Sequence, residues 1–393
     1  MATIAGSGRS SHLDSRAAAA EAVRMAQGPL GDARPGFGLL FASPKHDLGA
    51  ALAAAEEASG TVFFGCTTAG EITERGLTKG HLAVMVVSTD EMVSEVATVS
   101  GVKANPAAAA RQLCDGFSRM AKVGAGRGFG MSSSVLLVDG LNGVGEELVS
   151  EVLGATRALQ QVVGGAAGDD GAFKATYVGS GARASTDSAA VLHTFSKKPW
   201  GVGVDHGLKP TGRRMRVTRA RRNVVQQIDG RPAFDVYKEF AASRGVKLTA
   251  ENAGPFLIGN ELGIFVFDEL RRARAPLSVG ADGSLSCAAE IAEGASVSIL
   301  DGEPASMVEA ARRAAQEAQK NLGGARAAGV LLFDCVCRGM ILNSHFGREI
   351  EAVRSVFPDA PITGLLTYGE IARFKGRLDG WHNTTAVVAA IPA

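Results

Sequence analysis

A short phrase that occurs twice constrains this chain more than any other feature. Residues 68–72 read TAGEI near the start of the 393-residue sequence, and residues 367–371 read TYGEI near its end. Each copy follows an apolar run typical of a buried strand. The first run contains Gly65 and the second contains Gly364. A weaker third copy, VVGGAAGD, spans 162–169. Because turns that follow buried strands often hold small ligands in α/β proteins, the repetition predicts a duplicated architecture with a pocket between the copies.

The spacing of these turns predicts a repeated strand–helix–strand unit. Such units run from Phe41 to Glu71, from Asp139 to Asp169 and from Phe333 to Glu370, which are 30, 30 and 37 positions apart. Their similar length and order indicate one unit used repeatedly, with helices packed on strands. The expected fold class is therefore α/β, with two domains of mixed β-sheets covered by helices and with duplicated strand–helix–strand units.

The length of the chain and one turn suggest where the domains divide. A chain of 393 residues is too long for one ordinary core, so two domains are expected. Asp229-Gly230 is a turn signal, and Pro232 suits the first turn of a helix that runs to about residue 243. We therefore predict one domain at 31–228 and a second at 229–393. Within the second, a helix is expected at about 304–321 and a hairpin turn at 281–283.

Composition argues against several classes of protein. The net charge of +1 offers no global attraction to nucleic acid or to a membrane surface. No apolar run approaches the roughly 20 residues that span a bilayer, and no signal-peptide pattern is evident. Five cysteines without a Cys-x-x-Cys pair favour a reducing cytoplasm. The expectation is a cytoplasmic protein that binds neither nucleic acid nor membrane.

One basic segment is compatible with that expectation. Its arginines have no interleaved aromatic residues, which a nucleic-acid surface would use for stacking. A solvated face or a docking surface for a partner protein is the favoured interpretation. The arginines are Arg213, Arg214, Arg216, Arg219, Arg221 and Arg222.

Several short segments together resemble a known family. They are GCTTAGEI at 65–72, VGGAAGDD at 163–170, His206-Gly207 with Pro210, VTRA at 217–220, IDGRPA at 228–233 with Tyr237, LLF at 331–333 with Cys335 and Arg338, Gly364, YGEI at 368–371, and His382, Asn383 and Thr385. In order and spacing they resemble the FIST family of sensory proteins, with FIST N-terminal and C-terminal domains in tandem. The resemblance covers the chain from about residue 31 to its end.

The resemblance implies an input module in signal transduction that binds a small ligand, such as an amino acid or a similar metabolite. Because the 393 residues contain no kinase, cyclase or methyl-acceptor output segment, the output is expected to be a separate signalling protein such as a histidine kinase. An alternative is also implied, because some relatives look like haem proteins that sense nitric oxide and regulate a partner histidine kinase. Nothing in the sequence resembles the F-box of the eukaryotic relatives.

The candidate ligand-binding residues follow from chemistry and from the resemblance. A glutamate past a strand end can accept from a ligand ammonium group, and an arginine can grip a carboxylate through two N–H groups. The alternatives are that each glutamate closes its own turn and that Arg338 forms a structural ion pair. The expected ligand-binding residues are Cys66, Thr67, Glu71, Gly165, Asp169, Cys335, Arg338, Tyr368, Glu370 and Asn383.

The cysteines, acids and histidines are the candidates for catalysis, metal binding and haem binding. Cys335 would need a positioned base to act as a nucleophile, and a buried thiol is favoured, so no enzymatic activity and no cofactor are expected. Metal binding by Cys335, Cys337 and His345, or by Asp169-Asp170, has only weak support from spacing. For the haem alternative, the axial candidates are His193 and His206, with His345 and His382 also near motifs. A hydrogen-bonded structural role is the alternative for each histidine.

Overall fold

The order of elements along the chain repeats three times. The computed structural model describes residues 3–157, 161–374 and 380–393. The first repeat comprises strands β1 (Ile4–Ser10), β2 (Phe37–Ala42), β3 (Phe63–Thr67), β4 (Glu71–Thr73), β5 (Gly76–Thr78) and β6 (Leu82–Ser88), with helices α1 (Ser15–Gln27) and α2 (Leu48–Ser59). The side chains of Asp14 and Asp47 accept backbone N–H groups of α1 and α2, as their positions before alanine-rich segments predict. Gly60 ends α2 in the left-handed conformation.

The second repeat has the same order of strands and one additional helix. Its strands are β7 (Met92–Ser100), β8 (Met131–Val138), β9 (Gln161–Ala166), β10 (Val178–Ser180), β11 (Arg183–Ser185) and β12 (Ser188–Ser196). Its helices are α3 (Pro106–Leu113), α4 (Phe117–Gly126) and α5 (Gly145–Ala155). Short 3₁₀ turns lie at Gly28–Leu30, Val102–Ala104 and Asn343–His345.

The third repeat is interrupted after its first strand by residues 206–303, which we call the inserted region. The repeat opens with β13 (Gly201–Asp205). The inserted region contains β14 (Lys209–Pro210), β15 (Met215–Arg221), β16 (Val224–Ile228), β17 (Arg231–Pro232), α6 (Ala233–Ser243), α7 (Ala253–Gly259), β18 (Leu262–Val266), β19 (Glu269–Arg274), β20 (Pro276–Val279), β21 (Leu285–Cys287) and β22 (Ser296–Asp301). The repeat resumes with α8 (Pro304–Asn321), β23 (Ala327–Cys335), α9 (Val336–Leu342), α10 (Gly347–Val356), β24 (Ile362–Thr367), β25 (Glu370–Arg373), β26 (Trp381–His382) and β27 (Ala386–Pro392).

The three repeats exchange hairpins in a closed cycle. Each repeat forms a six-stranded mixed sheet around one parallel pair, which is β2–β3, β8–β9 or β23–β24. The hairpin β4–β5 of the first repeat completes the sheet of the third by pairing with β24. Likewise, β10–β11 of the second repeat pairs with β3, and β25–β26 of the third pairs with β9. Each repeat therefore contributes the edge of a neighbour's sheet.

A shared glycine explains part of the repeated sequence phrase. Gly65, Gly164 and Gly364 occupy the same register position in β3, β9 and β24. At each, an added Cβ would lie 1.8–1.9 Å from a backbone carbonyl oxygen of the adjacent parallel strand. No side chain fits at that distance, so the position requires glycine. The third, weaker copy of the phrase is thus a true counterpart of the other two at Gly164.

The inserted region has a nine-stranded antiparallel sheet with its own hydrophobic core. The order along the sheet is β19-β18-β22-β15-β16-β21-β20, with β14 beside β22 and β17 beside β16. Helix α6 follows Pro232, and Gly283 closes the β20–β21 turn with φ +77°, as the sequence predicts. Phe234 and Tyr237 of α6 and Leu262 of β18 belong to this core, together with residues of β15, β16, β21 and β22.

The fold class expected from the sequence is confirmed: the protein is α/β, with mixed sheets covered by helices and a duplicated strand–helix–strand unit. The predicted ranges 31–228 and 229–393 interlock, because the nine-stranded sheet continues across residue 228 and β4–β5 lies in the sheet of β24. The predicted helix at 304–321 is α8, which buries one face rich in alanine. Within the described ranges, no helix combines the length and apolar character needed to cross a membrane.

Candidate functional site

The turns that follow the three parallel strand pairs meet one another directly. Each turn is joined to both others through backbone hydrogen bonds of 2.8–3.1 Å. These bonds run from Gly168 N to Thr67 O, Asp170 N to Thr68 O, Ala69 N to Leu366 O, Leu366 N to Gly70 O, Ala166 N to Gly369 O and Tyr368 N to Ala166 O. The structure therefore brings the repeated phrases together, with their backbones in contact.

The first repeated glutamate satisfies its own turn. Glu71 is fully buried and accepts hydrogen bonds from Thr68 Oγ1 at 2.5 Å, from His81 N at 3.0 Å and from Thr78 Oγ1 at 3.3 Å. Burial raises its pKa to about 7, and these donors oppose that rise. The carboxylate therefore accepts hydrogen bonds within its own turn. This is the turn-closing role, the alternative to ligand binding.

The second repeated glutamate has the same arrangement. Glu370 is fully buried and accepts from Thr367 Oγ1 at 2.6 Å and from the backbone and hydroxyl of Thr385 at 3.0 and 2.9 Å. The thiol of Cys335 is also hydrogen-bonded to this carboxyl group. Burial raises the pKa of Glu370 to about 7. In both copies the threonine three residues earlier in the chain donates to the glutamate.

The second repeat replaces this glutamate turn with a longer loop. Val178 occupies the position of Glu71 and Glu370, but it lies 14 residues after Gly164. Asp169 organises the loop by accepting the backbone N–H groups of residues 173, 174 and 175 at 2.6–3.0 Å. Although burial opposes ionisation, the Tyr368 hydroxyl and these N–H groups hold the pKa of Asp169 below its usual range.

Tyr368 fastens this loop to the third repeat. Its ring stacks on Phe173 with centroids 4.6 Å apart and an interplanar angle of 12°. Its hydroxyl donates to Asp169 and accepts from Gly171 N at 3.0 Å. Phe173 has φ +51°, which is uncommon for a bulky residue. Asp169 and Tyr368 are therefore partners in the structure, as part of a contact between repeats.

Arg338 has every guanidinium N–H directed at a protein acceptor. Its side chain is fully buried; Nε donates to Asp334, Nη1 to the carbonyls of His206 and Thr384, and Nη2 to the carbonyl of Met307 and to Glu349. These five contacts match the five N–H groups of arginine. Although burial alone would lower its pKa, Glu349 and Asp334 raise it above the usual arginine value. Arg338 thus forms the structural ion pair that was the alternative to ligand binding.

Two buried acids flank Arg338. Asp334 and Glu349 are both fully buried, and one oxygen of each accepts from the guanidinium. Two carboxylates so close together disfavour simultaneous ionisation. Burial and the neighbouring Glu349 raise the pKa of Asp334.

The remaining predicted residues of β3, β9 and β23 lie in the packed interior. Cys66 is fully buried in the core, and Thr67 Oγ1 accepts from Tyr177 N at 3.0 Å. Gly165 faces Thr367, whose methyl group would lie 2.5 Å from an added Cβ. Burial raises the pKa of the Cys66 and Cys335 thiols, and Cys335 is also hydrogen-bonded to Cys337. A protonated thiol is a poor nucleophile.

The histidines of the haem alternative have protein partners. His193 is buried in β12, with Nδ1 2.6 Å from Ser134 Oγ and Nε2 3.1 Å from Leu113 O. Nδ1 of His206 accepts from Leu208 N at 2.9 Å. Neither residue lines the two cavities described below. In the described part of the chain, no cluster of three or more His, Cys, Asp or Glu side chains is arranged to hold a metal ion.

A cavity of about 390 Å³ lies between the inserted region and the second repeat. Its walls come from the β18–β19 hairpin, the turn between β15 and β16, the loop 290–295 and the first turn of α5. Charged residues of both signs line it: Arg222, Arg271, Arg272, Glu146, Glu290 and Glu293. A smaller cavity of about 220 Å³ lies between α6 and the β14–β15 segment, and Arg213, Arg231 and Glu239 line it.

An ion-paired cluster forms one wall of the larger cavity. Glu146 Oε1 accepts from Arg272 Nη1 and from Arg274 Nη2, both at 3.0 Å. Arg274 is fully buried and also contacts the carboxamide oxygen of Asn383 at 3.5 Å. Asn383, one of the ten predicted ligand-binding residues, thus contacts Arg274, which forms an ion pair with Glu146 in the wall of the cavity. Sequence reasoning missed Glu146, Arg272 and Arg274, although alternate arginines on one strand face were a usable signal.

A further buried acid lies beside this cluster. Glu261, between α7 and β18, is fully buried, and the hydroxyl of Thr384 donates to it. Burial raises the pKa of Glu261 to about 8. Thr384 has φ +56°, an uncommon conformation for a β-branched residue, and its carbonyl accepts from Arg338. The loop 383–385 therefore connects the inserted region with the buried acids of the third repeat.

The sequence matches two models of one family. Residues 36–231 match the FIST N domain and residues 233–373 match the FIST C domain. FIST domains are associated with sensing in signal transduction. A comparison with curated proteins found no match.

Two solved structures show weak similarity. Cyanuric acid hydrolase from A. caulinodans has 8% identity and a TM-score of 0.30, over 50% of this chain and 72% of that one. Phosphoribosylformylglycinamidine synthase II from Thermotoga maritima has 11% identity and a TM-score of 0.21, over 98% and 71%. These scores are too low to support an argument on fold or activity. The two domain models cover most of the chain, which therefore belongs to the FIST family.

Proposed function

We propose that this FIST protein senses a small zwitterionic metabolite, such as an amino acid, in the cytoplasm and transmits the signal to a separate output protein. The observation that carries the proposal is the cavity of about 390 Å³ between the inserted region and α5. Its volume falls within the roughly 300–1,000 Å³ common for small-molecule sites. The association of FIST domains with sensing supports the signalling part.

The charges in the cavity favour a ligand that carries both signs. Arg222, Arg271 and Arg272 offer donors to a carboxylate. Glu290 and Glu293 offer acceptors to an ammonium group. Ile264 lines the same space and provides apolar surface for a side chain. An amino acid presents all three features within one small molecule.

We propose binding without catalysis, and we place the ligand away from the Gly-Glu turns. The buried thiol of Cys335 has a raised pKa, so it is protonated and poorly nucleophilic at neutral pH. Glu71, Glu370 and Arg338 hold internal partners. The haem alternative lacks comparable support, because both ring nitrogens of His193 contact protein oxygens.

A thermal-shift screen of the standard L-amino acids, one at a time, tests the proposal. A ligand at 100 times its Kd stabilises the folded state by about 2.7 kcal/mol. At about 2.1 cal/mol/K per residue, that raises the Tm of a 393-residue chain by about 3 °C. The amide and the decarboxylated amine of each hit should bind more weakly, because each lacks one of the two charges. No shift with any amino acid would remove the proposal.

A pair of matched variants tests the location. Arg271 lines the cavity, and its side chain is 38% exposed. Arg312 on α8 is equally exposed, also pairs with a glutamate, and lies outside the cavity. Arg271→Gln should weaken the binding measured by titration calorimetry, whereas Arg312→Gln should not. Equal affinities for the two variants would place the ligand elsewhere.

A further inference from the structure

We infer that Glu146 occupies the carboxylate subsite of this cavity, so that a ligand carboxylate competes with Glu146 for Arg272 and Arg274. The inference rests on the proposed function for the identity of the ligand. It goes beyond that function because it assigns the residues that receive the carboxylate. It also names the contact that binding breaks.

The geometry of the pair shows that Glu146 satisfies this subsite incompletely. Glu146 Oε1 accepts from both arginines at 3.0 Å. Its other oxygen, Oε2, is buried and has no hydrogen-bond partner. A carboxylate bound by arginine commonly uses both oxygens in parallel hydrogen bonds. A free carboxylate, which carries no helix backbone, can adopt that arrangement.

Burial explains why an anion is required at this point. The side chain of Arg274 is fully buried, whereas Glu146 and Arg272 are each 32% exposed at the cavity wall. Arg274 also donates to neutral oxygens, which include Glu290 O at 3.2 Å and Ala273 O at 3.2 Å. A buried guanidinium is strongly disfavoured without a neighbouring negative charge. Glu146 supplies a negative charge there, and a ligand carboxylate in its place would do the same.

The contact joins two parts of the fold. Glu146 lies in the first turn of α5 in the second repeat, and both arginines lie on β19 of the inserted region. Displacement of Glu146 would release α5 from the β18–β19 hairpin while the arginines keep an anionic partner. Ligand binding would thereby weaken the contact between the inserted region and the second repeat. Through this contact, occupancy of the cavity would change the arrangement of the rest of the molecule.

Chemical rescue with acetate tests the subsite without knowledge of the natural ligand. Glu146→Ala leaves a space the size of a carboxylate beside Arg272 and Arg274, so the variant should have a lower Tm than the wild type. Sodium acetate should restore most of that loss in a saturable manner, beyond sodium chloride at the same ionic strength. Glu147→Ala is the matched control, because Glu147 is an exposed acid in the same helical turn. Neither this control nor the wild type should respond to acetate beyond chloride.

Three results would overturn the inference. They are an unchanged Tm for Glu146→Ala, an acetate effect no larger than the chloride effect, and an equal acetate effect on Glu147→Ala. If Glu146→Ala does not fold, Glu146→Gln replaces it in the same titration, because the amide removes the charge and keeps the shape. Acetate should stabilise that variant also, and the absence of a specific effect would again count against the subsite.

The outcome separates this inference from the proposed function. Acetate rescue without any amino-acid hit would support the subsite and remove the amino-acid proposal. An amino-acid hit on the wild type without acetate rescue would support sensing and remove the role of Glu146. If both are observed, Glu146→Gln should bind the amino acid more tightly than the wild type does, and Glu147→Gln should bind it equally.

Discussion

Replacement of Arg338 by methionine should destabilise the fold strongly, because the guanidinium is fully buried between two acids. Its five N–H groups contact Asp334, Glu349 and three backbone carbonyls. The variant leaves two buried acids and three backbone carbonyl oxygens without their guanidinium partner in the interior. Removal of one partner from a buried ion pair costs about 3–5 kcal/mol. For 393 residues at about 2.1 cal/mol/K each, the expected fall in Tm is about 4–6 °C.

Differential scanning calorimetry of the purified variant measures this fall. Arg312→Met is the control, because Arg312 pairs with Glu309 on the exposed side of α8. A surface pair contributes about 1 kcal/mol or less, which corresponds to about 1 °C here. Glu349→Gln should lie between the two variants, because Asp334 can still pair with Arg338 as a carboxylate.

A fall of less than about 1 °C for Arg338→Met would refute the reasoning. It would show that Arg338 contributes no net stability despite its contacts. Its guanidinium would then again be a candidate for the ligand contact expected from the sequence. Normal stability together with lost binding of an amino acid would support that assignment directly.

The remaining predictions concern pH and the repeated glycine. The pKa values of Glu71 and Glu370 rise from 4.5 in the unfolded chain to about 7 in the fold, so their ionisation opposes folding and Tm should fall as pH rises from about 4.5 to about 7. At about 1.36 kcal/mol per pKa unit, each group contributes about 3 kcal/mol across this range. Glu370→Gln should therefore show a shallower decline when Tm is measured over the same pH values, and an unchanged slope would contradict the burial argument. Gly364→Ala should lower Tm by about 4 °C or more, since its Cβ would lie 1.8 Å from Leu332 O and overpacking against backbone costs about 3 kcal/mol. Gly347→Ala, with no atom within 4 Å, should leave Tm unchanged or slightly higher, and equal effects of the two substitutions would contradict this account.

Local features of the fold could be predicted from the sequence. The helix at 304–321, the caps at Asp14 and Asp47 and the turn at Gly283 depend on residues close together in the chain. The repeated Gly-Glu phrase likewise indicated the repeated unit, because each repeat needs a glycine where its parallel strands approach. Propensity, capping and turn chemistry act over a few residues, so a sequence pattern records them.

The candidate site was predictable only in part. The sequence drew attention to Glu71, Glu370 and Arg338 because of their positions after buried strands. The structure gives each of them protein partners. In contrast, Glu146 and Arg274 are 128 residues apart in the chain, and neither was predicted as a site residue. A single ionisable residue carries no sign of the distant partner that gives it a role.

The class of fold, the threefold use of one unit and the membership of a sensory family follow from the sequence alone, because periodicity, turn residues and motif order are properties of short segments. The exchange of hairpins among the repeats, as in the pairing of Glu71 with Leu365, is seen only in the folded chain. The same holds for the backbone-to-backbone packing of the Gly-Glu turns and for the charged cavity beside α5. These features depend on hydrogen bonds, burial and charge pairing between residues far apart in the chain, and their energies arise only when the chain is folded.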